Sequence, residues 1–387
     1  MQDFIHPVRG CLYAENQFIS LKDFIYTPLL SDYQSCLAVH DNAVHLCYPK
    51  NAHEAGETKN RLTARKILQD CPKAGIFILK EKLIREGTPP LTRESLLVNF
   101  QVDENNSNLF PHENTYEIYE LEKLEIIKAS NMNTLPSLAY YTDAQNNLPQ
   151  ELLKFATPVL SHQSARMNFE LYQVTENELV LDTCKNLSKH SYLLADGHHR
   201  LAGSKRLAKS IGSPVNHLVQ IVNNHYSPPV LDSFTLMIDT LIPINFEKIK
   251  SAFNVKKVTN LPNIRNENII DLITPNGLFE LSSKTQTSHQ STNDFLSHFY
   301  HDELIGKVFE LTDEELNKQT RCFHLGNWND INELVFAGSH VGLRPPRIPL
   351  EEIIQKASKG QLFPEKSTRF LPKVTCGILL GKVDIQA

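Results

Sequence analysis

Between Ser191 and Ala208 the chain reads SYLLADGHHRLAGSKRLA, and this stretch limits the possible folds more than any other. Tyr192 to Ala195 is a short apolar run, Asp196-Gly197 reads as a turn, and a helix begins around His198 to Arg200 and closes at Gly212 and Pro214. A strand that turns straight into a helix presents the unpaired N–H groups of the first helical turn and the positive end of the helix dipole. Gly197 lets an oxyanion approach the backbone with no Cβ in the way, and His198, His199 and Arg200 add side-chain donors. Arg200 can grip two phosphate oxygens at once, which a lysine cannot. The segment is not a Walker A loop. Five residues rather than four separate Gly197 from Gly203, and Gly203-Ser204-Lys205 inverts the order such a loop requires. Three readings stand open: a phosphate or nucleotide contact, a satisfied structural turn, and metal ligation by Asp196, His198 and His199. The first is favoured because a buried run of donors without an anion leaves positive charge unmatched; adjacent histidines point apart and share one ion poorly.

Around this segment, Ile76 to Leu79, Leu96 to Val102 and Leu218 to Val222 read as strands. Asn114 to Ser130 reads as a helix, with Ile118, Leu121, Leu124 and Ile127 recurring every third residue, Asn114 or Thr115 as cap, and Glu117 at capping-box spacing. Interspersed strands and helices predict a mixed α+β class. Polar turns at 103–114 and 142–150 and a diffuse Asn, Ser and Thr stretch at 259–293 mark soft boundaries. At roughly 150 residues per domain, 387 residues predict two or three units. The grouping expected is a core over 1–235, with an insertion at about 76–180, and a C-terminal lobe over 236–387. From Gly338 onward eight Lys or Arg face four acids, so that lobe is locally basic.

Composition narrows the function classes. With 44 acidic and 39 basic residues the net charge of −5 supplies no global field for nucleic acid phosphates. Residues 1–26 contain no apolar stretch of signal-peptide length and no window approaches a membrane span, so a soluble, cytoplasmic protein with no membrane partner is expected. Seven scattered cysteines, odd in number and without a CxxC pair, suit reduced thiols. His298, His301, Asp302 and Glu303 have the spacing of metal ligands but read better as a solvated helix end.

At ADGHHR the sequence resembles the phosphate-contacting box of the ParB/sulfiredoxin-like superfamily, in which a Gly-x-x-Arg turn at a helix start holds nucleotide phosphates. PHENTYEIYELEKL (111–124) resembles the His-Glu-x-Thr box, and PEKSTRFLPKVTCG (364–377) the PxKSTxFxPK box, of a bacterial and archaeal family labelled as a domain of unknown function. That family is similar to free serine kinases. The resemblance implies a ParB/sulfiredoxin-like α+β core with large insertions and a C-terminal extension, ATP or ADP as phosphoryl donor, and Mg2+. The sequence departs from the family at two places, carrying YTPLLSDYQSCLAVHD (26–41) and LDSFTLMID (231–239) where a Pro-Tyr-Asp and a Pro-Thr-His-Arg type segment are usual.

His112 and Glu113 precede the capped helix, where a carboxylate is stabilised and an anion welcome; the alternative is first-turn decoration. In PEKSTRFLPK two prolines stiffen a run that crowds Lys366, Ser367, Thr368, Arg369 and Lys373 together, as a phosphate contact or as an ordinary basic edge strand. Phosphoryl transfer needs positioning, charge neutralisation and a proton acceptor. Gly197, His198, His199, Arg200, Lys366, Ser367 and Thr368 are expected to hold the nucleotide phosphates. Asp196, Glu113 and His199 are expected to supply acid–base chemistry or a magnesium ligand. Lys373, Arg344 and His112 would hold a small hydroxyl-bearing acceptor, a serine-like amino acid first among them. The opposing expectation is a nucleotide-binding switch without phosphotransfer.

Overall fold

A computed structural model describes residues 3–14, 35–85, 88–104, 108–164, 167–242, 244–262, 265, 267–285, 291–326 and 328–383. Most of the departing segment at 26–41 lies outside them. The chain is α+β and divides into two units, residues 1–229 with 372–387, and residues 230–371.

The first unit is built on a nine-stranded sheet. Its strands are β1 (Ile5–His6), β2 (Ile76–Arg85), β3 (Thr88–Val102), β4 (Leu109–Phe110), β5 (Ser137–Tyr141), β6 (Thr157–Gln163), β7 (Met167–Val174), β8 (Tyr192–Asp196) and β9 (Val215–Asn223). They are ordered β4-β8-β5-β9-β3-β2-β7-β6, with β1 paired to β3. β2 and β3 are an antiparallel pair in register at Ile78 with Leu96 and Leu83 with Leu91. Residues 76–180 supply six of the nine strands of this sheet, β2 to β7, and the first two of them are its longest. β9 is buried along nearly its whole length, and its apolar Leu218, Val219, Ile221 and Val222 flank the equally buried Gln220. The last residues of the chain return to this unit, where Leu380–Lys382 pairs with both Gly10–Tyr13 and Met132–Asn133.

Two helices flank the glycine turn, α1 (Glu117–Ser130) and α2 (His198–Ile211). α1 starts three residues later than Asn114. Its N-cap is Tyr116 without a side-chain acceptor, because Thr115 Oγ1 donates to Glu120 Oε1 at 2.5 Å instead of capping. Its buried face is Leu124, Ile126, Ile127 and Ser130, while Ile118 and Leu121 of the expected apolar stripe are 70% and 43% exposed. α2 ends as its sequence predicts, on a left-handed Gly212. The helices touch at Tyr119 with His199 and at Leu124 with Gly203, so they run parallel with their N-termini at the same end. Gly203 makes that approach possible, since a Cβ there would sit 3.0 Å from the Leu124 amide nitrogen and from Lys123 Cβ.

The second unit carries a six-stranded antiparallel sheet in the order 253–258, 277–283, 269–274, 340–344, 235–239, 322–325. Its first and last strands, Val230–Asp232 and Arg369–Leu371, pair with each other. Among the described residues no helix is long and apolar enough to cross a membrane. All seven cysteines are free thiols, and all but Cys71 are buried.

Gly203→Val should lower unfolding stability by about 1–3 kcal/mol through overpacking of α1 against α2, read as a fall in the urea midpoint. A midpoint equal to wild type would show that the helices are not locked at this crossing.

Candidate functional site

Of the residues singled out by sequence, His112, Glu113, Asp196, Gly197, His198, His199, Arg200 and Lys373 lie in the first unit; Arg344, Lys366, Ser367 and Thr368 lie in the second. The first group centres on the end of β8. Pairing with β5 shifts register between Leu194 and Asp196, and this irregularity delivers Asp196 at the strand end. Gly197 then caps α2 at φ 95°, a left-handed conformation natural to glycine, and offers the helix no side-chain acceptor. A Cβ at Gly197 would lie 2.3 Å from Ser137 Oγ and within 3.0 Å of Arg200 Nη2 and Nε. The guanidinium thus lies directly against the glycine.

Asp196 is shared by two cations. Arg200 Nη2 donates to Oδ2 at 2.7 Å and Lys373 Nζ to Oδ1 at 2.5 Å. Burial alone would raise this carboxyl, but Lys373 and Arg200 outweigh it and hold it far below the ordinary carboxylate range. Arg200 Nη2 also reaches the Pro136 carbonyl at 3.2 Å, while its Nε is buried with no hydrogen-bond partner.

The histidines lie beside this turn and bond the backbone. His198 Nε2 accepts from the His112 amide and His199 Nε2 from the Tyr116 amide, each at 3.3 Å. These bonds tie the first turn of α2 to the segment that starts α1. Burial, aided by neighbouring His112, pushes His198 well below its usual range, so it is neutral. His112 is fully buried, donates from Nδ1 to the Leu194 carbonyl at 2.6 Å, and meets the His198 ring edge-on at 4.6 Å. With Nδ1 carrying the proton, its Nε2 is the basic nitrogen, 3.8 Å from Glu113 Oε1. Burial lowers His112 despite the opposing pull of Glu113.

Beneath the turn lies a relay that the sequence reading missed. Ser137 Oγ is 3.4 Å from the Gly197 carbonyl and 2.8 Å from His217 Nε2, and His217 Nδ1 is 2.8 Å from Ser204 Oγ. His217 thereby links β9 to both β5 and α2. The signal is the single titratable residue of the strand VNHLVQIVN. Burial first, then Arg200 and Lys205, lower His217 to about 3.

In the second unit Arg344 is engaged internally: Nε and Nη2 donate to Asp271 Oδ2 at 2.9 and 2.6 Å, and Nη2 donates to the Pro262 carbonyl at 2.6 Å. Arg344, expected to contact an acceptor, thus holds a carboxylate of the chain itself. Lys366 has a left-handed φ of 60°, Ser367 Oγ donates to the Pro364 carbonyl at 2.7 Å, and Thr368 is buried. His298 and Asp302 are an exposed pair at 3.8 Å, and among the described residues no group of three His, Cys, Asp or Glu is placed to hold a metal.

The fold and this turn define an α+β protein with a charged glycine turn at the start of a helix. The chain belongs to the family described as "Protein of unknown function (DUF1015)", whose match spans residues 6–235 and so takes in His112-Glu113 and the Asp196–Arg200 turn but stops before PEKSTRFLPK. No curated protein matches it. Among solved structures it is similar to SbnI with a C-terminal truncation from Staphylococcus aureus, at 13% identity over 73% of this chain and 85% of that chain, TM-score 0.41. It is similar also to a conserved hypothetical protein from Pyrococcus furiosus, at 14% over 71% and 90%, TM-score 0.40. A free serine kinase in complex with AMP matches at 13% over 72% and 91%, TM-score 0.38.

A histidine whose pKa is lower folded than unfolded takes up a proton on unfolding, so stability is full above the ordinary 6.5 and falls as pH drops toward about 3. His217→Gln should flatten this loss: between pH 7 and about pH 4 the wild type should lose more unfolding free energy than the variant in denaturant titrations. Parallel pH slopes would show that His217 is not held neutral by the fold.

Proposed function

We propose that the chain is a nucleotide-dependent phosphotransferase acting on a small hydroxyl-bearing metabolite, with a serine-like amino acid as the first acceptor to test. One observation carries the reading. Two cations converge on the single Asp196 carboxylate at a helix start whose cap supplies no acceptor, and the Arg200 Nε is buried without a partner. One carboxylate against two cations and a positive helix end leaves positive potential that a phosphate chain would satisfy.

In this reading Gly197 gives the phosphates access to the first-turn amides of α2, and Arg200 and Lys373 neutralise charge as it builds on the transferred group. The acceptor hydroxyl loses its proton to a carboxylate while its oxygen attacks the terminal phosphorus and the bond to the leaving nucleotide phosphate breaks. Asp196 suits the proton-accepting task badly, being held ionised by both cations. Glu113, buried beside His112, takes that role. A resident magnesium ion does not fit at Asp196, both of whose oxygens already accept from cations. Mg2+ enters only as the nucleotide's companion ion.

The saturation of Asp196 also favours a second reading, a nucleotide-binding protein without turnover. Incubation of the full chain with ATP or ADP and a panel of hydroxyl amino acids, followed by mass spectrometry of the acceptor, separates the two. The phosphotransferase yields phosphorylated acceptor; the binder retains nucleotide and yields none. Neither binding nor product would sink both. Glu113→Gln should reduce turnover by about 10²–10⁴-fold with nucleotide affinity kept, as expected for loss of a general base. Arg200→Lys should weaken nucleotide binding by about tenfold, because an ammonium cannot replace a two-pronged contact.

A further inference from the structure

Three strands of the main sheet send polar side chains into one buried cluster. Glu81 comes from β2, Arg93 and Ser95 from β3, and Gln220 from β9; Arg93 is 2% exposed and Glu81 6%. Arg93 Nε donates to Glu81 Oε2 at 2.8 Å. The Gln220 amide donates to the same oxygen at 2.7 Å and to Ser95 Oγ at 2.9 Å. Desolvating an ion pair of this kind offsets most of its attraction, so stability alone is a poor reason for it. Its remaining atoms reach elsewhere. Arg93 Nη1 and Nη2 donate to the carbonyls of Pro372 and Lys373 at 2.5 and 3.0 Å, and Glu81 Oε1 accepts from Thr375 Oγ1 at 3.0 Å. Both ionised partners therefore grip residues 372–375, and from that gripped backbone the Lys373 side chain runs to Asp196.

We propose that Arg93 is a positioning residue: from inside the sheet it holds the Pro372 and Lys373 carbonyls and thereby sets the Lys373 ammonium on Asp196. What the ammonium is for rests on the phosphotransferase reading; where it is placed does not. A planar guanidinium suits the task because it can serve Glu81 through Nε and two successive carbonyls through its two terminal nitrogens.

The test reads Lys373 directly. Full-length wild type and variants are treated with an amine-reactive ester, and acylation of each lysine is followed by mass spectrometry, with Lys128 as an exposed reference at 44% side-chain accessibility. The double variant Arg93→Met with Glu81→Gln removes the grip without leaving a buried charge. It should raise the Lys373 rate by about fivefold with Lys128 unchanged, as expected for loss of hydrogen bonds to a charged group. Arg93→Lys, which keeps a charge against Glu81 but cannot span two carbonyls, should give an intermediate rise. Thr375→Val leaves the ion pair intact and should give about a twofold rise, which keeps the test open if the double variant does not fold. Wild-type Lys373 rates in folded Arg93→Lys and Thr375→Val proteins would overturn the proposal. Binding of a fluorescent ADP analogue is measured in parallel. A raised Lys373 rate with unchanged affinity upholds the positioning role and removes Lys373 from the phosphate contacts.

Discussion

The carboxylate of Asp196, held between Arg200 and Lys373, is the interaction on which the site depends. Neither cation would rest comfortably at the positive end of α2 without it, and burial would drive the carboxyl toward its neutral form without them. The three groups are mutually necessary. Two backbone features bring them together: the register shift that ends β8 at Asp196, and the left-handed Gly197 against which the guanidinium lies. A side chain at 197 would strike both Ser137 and Arg200, so the turn, the pair and the relay below it are one steric unit.

The imidazoles change the character of this unit. A run of two histidines and an arginine looks like concentrated positive charge, yet the folded chain buries His198 and makes both Nε2 atoms acceptors for the amides of His112 and Tyr116. Buried and neutral, His198 adds no positive charge to that of Arg200 and Lys373. The histidines thereby fasten the segment that leads into α1 to the first turn of α2, where the dipoles of the two parallel helices repel. His217 does comparable work underneath, as a neutral bridge between two hydroxyls.

Local pattern was legible where the physics is local. The strand, turn and helix of 191–212 are visible in an apolar run, a glycine and a Gly-x-Pro stop, and the strands at 76, 96 and 218 in their apolar content. What the pattern missed depended on partners far along the chain. Ile118 and Leu121 have helical spacing with Leu124 and Ile127 but face outward, because the packing surface of α1 is set by where Gly203 allows α2 to approach. Arg344 looks like a free cation in sequence and is spent on Asp271, 73 residues away.

Sequence alone determined the mixed α+β class and the strand, glycine turn and helix start that carry Asp196 and Arg200, since each follows from propensities and spacings within a few residues. Only the tertiary structure decided that Lys373 completes the turn across 177 residues of chain, that both oxygens of Asp196 accept from cations, and that the chain from Pro372 onward rejoins the first unit. The physical reason is that an ion pair or a buried hydrogen bond is chosen by distance and desolvation in three dimensions, and neither is written in the spacing of residues along the chain.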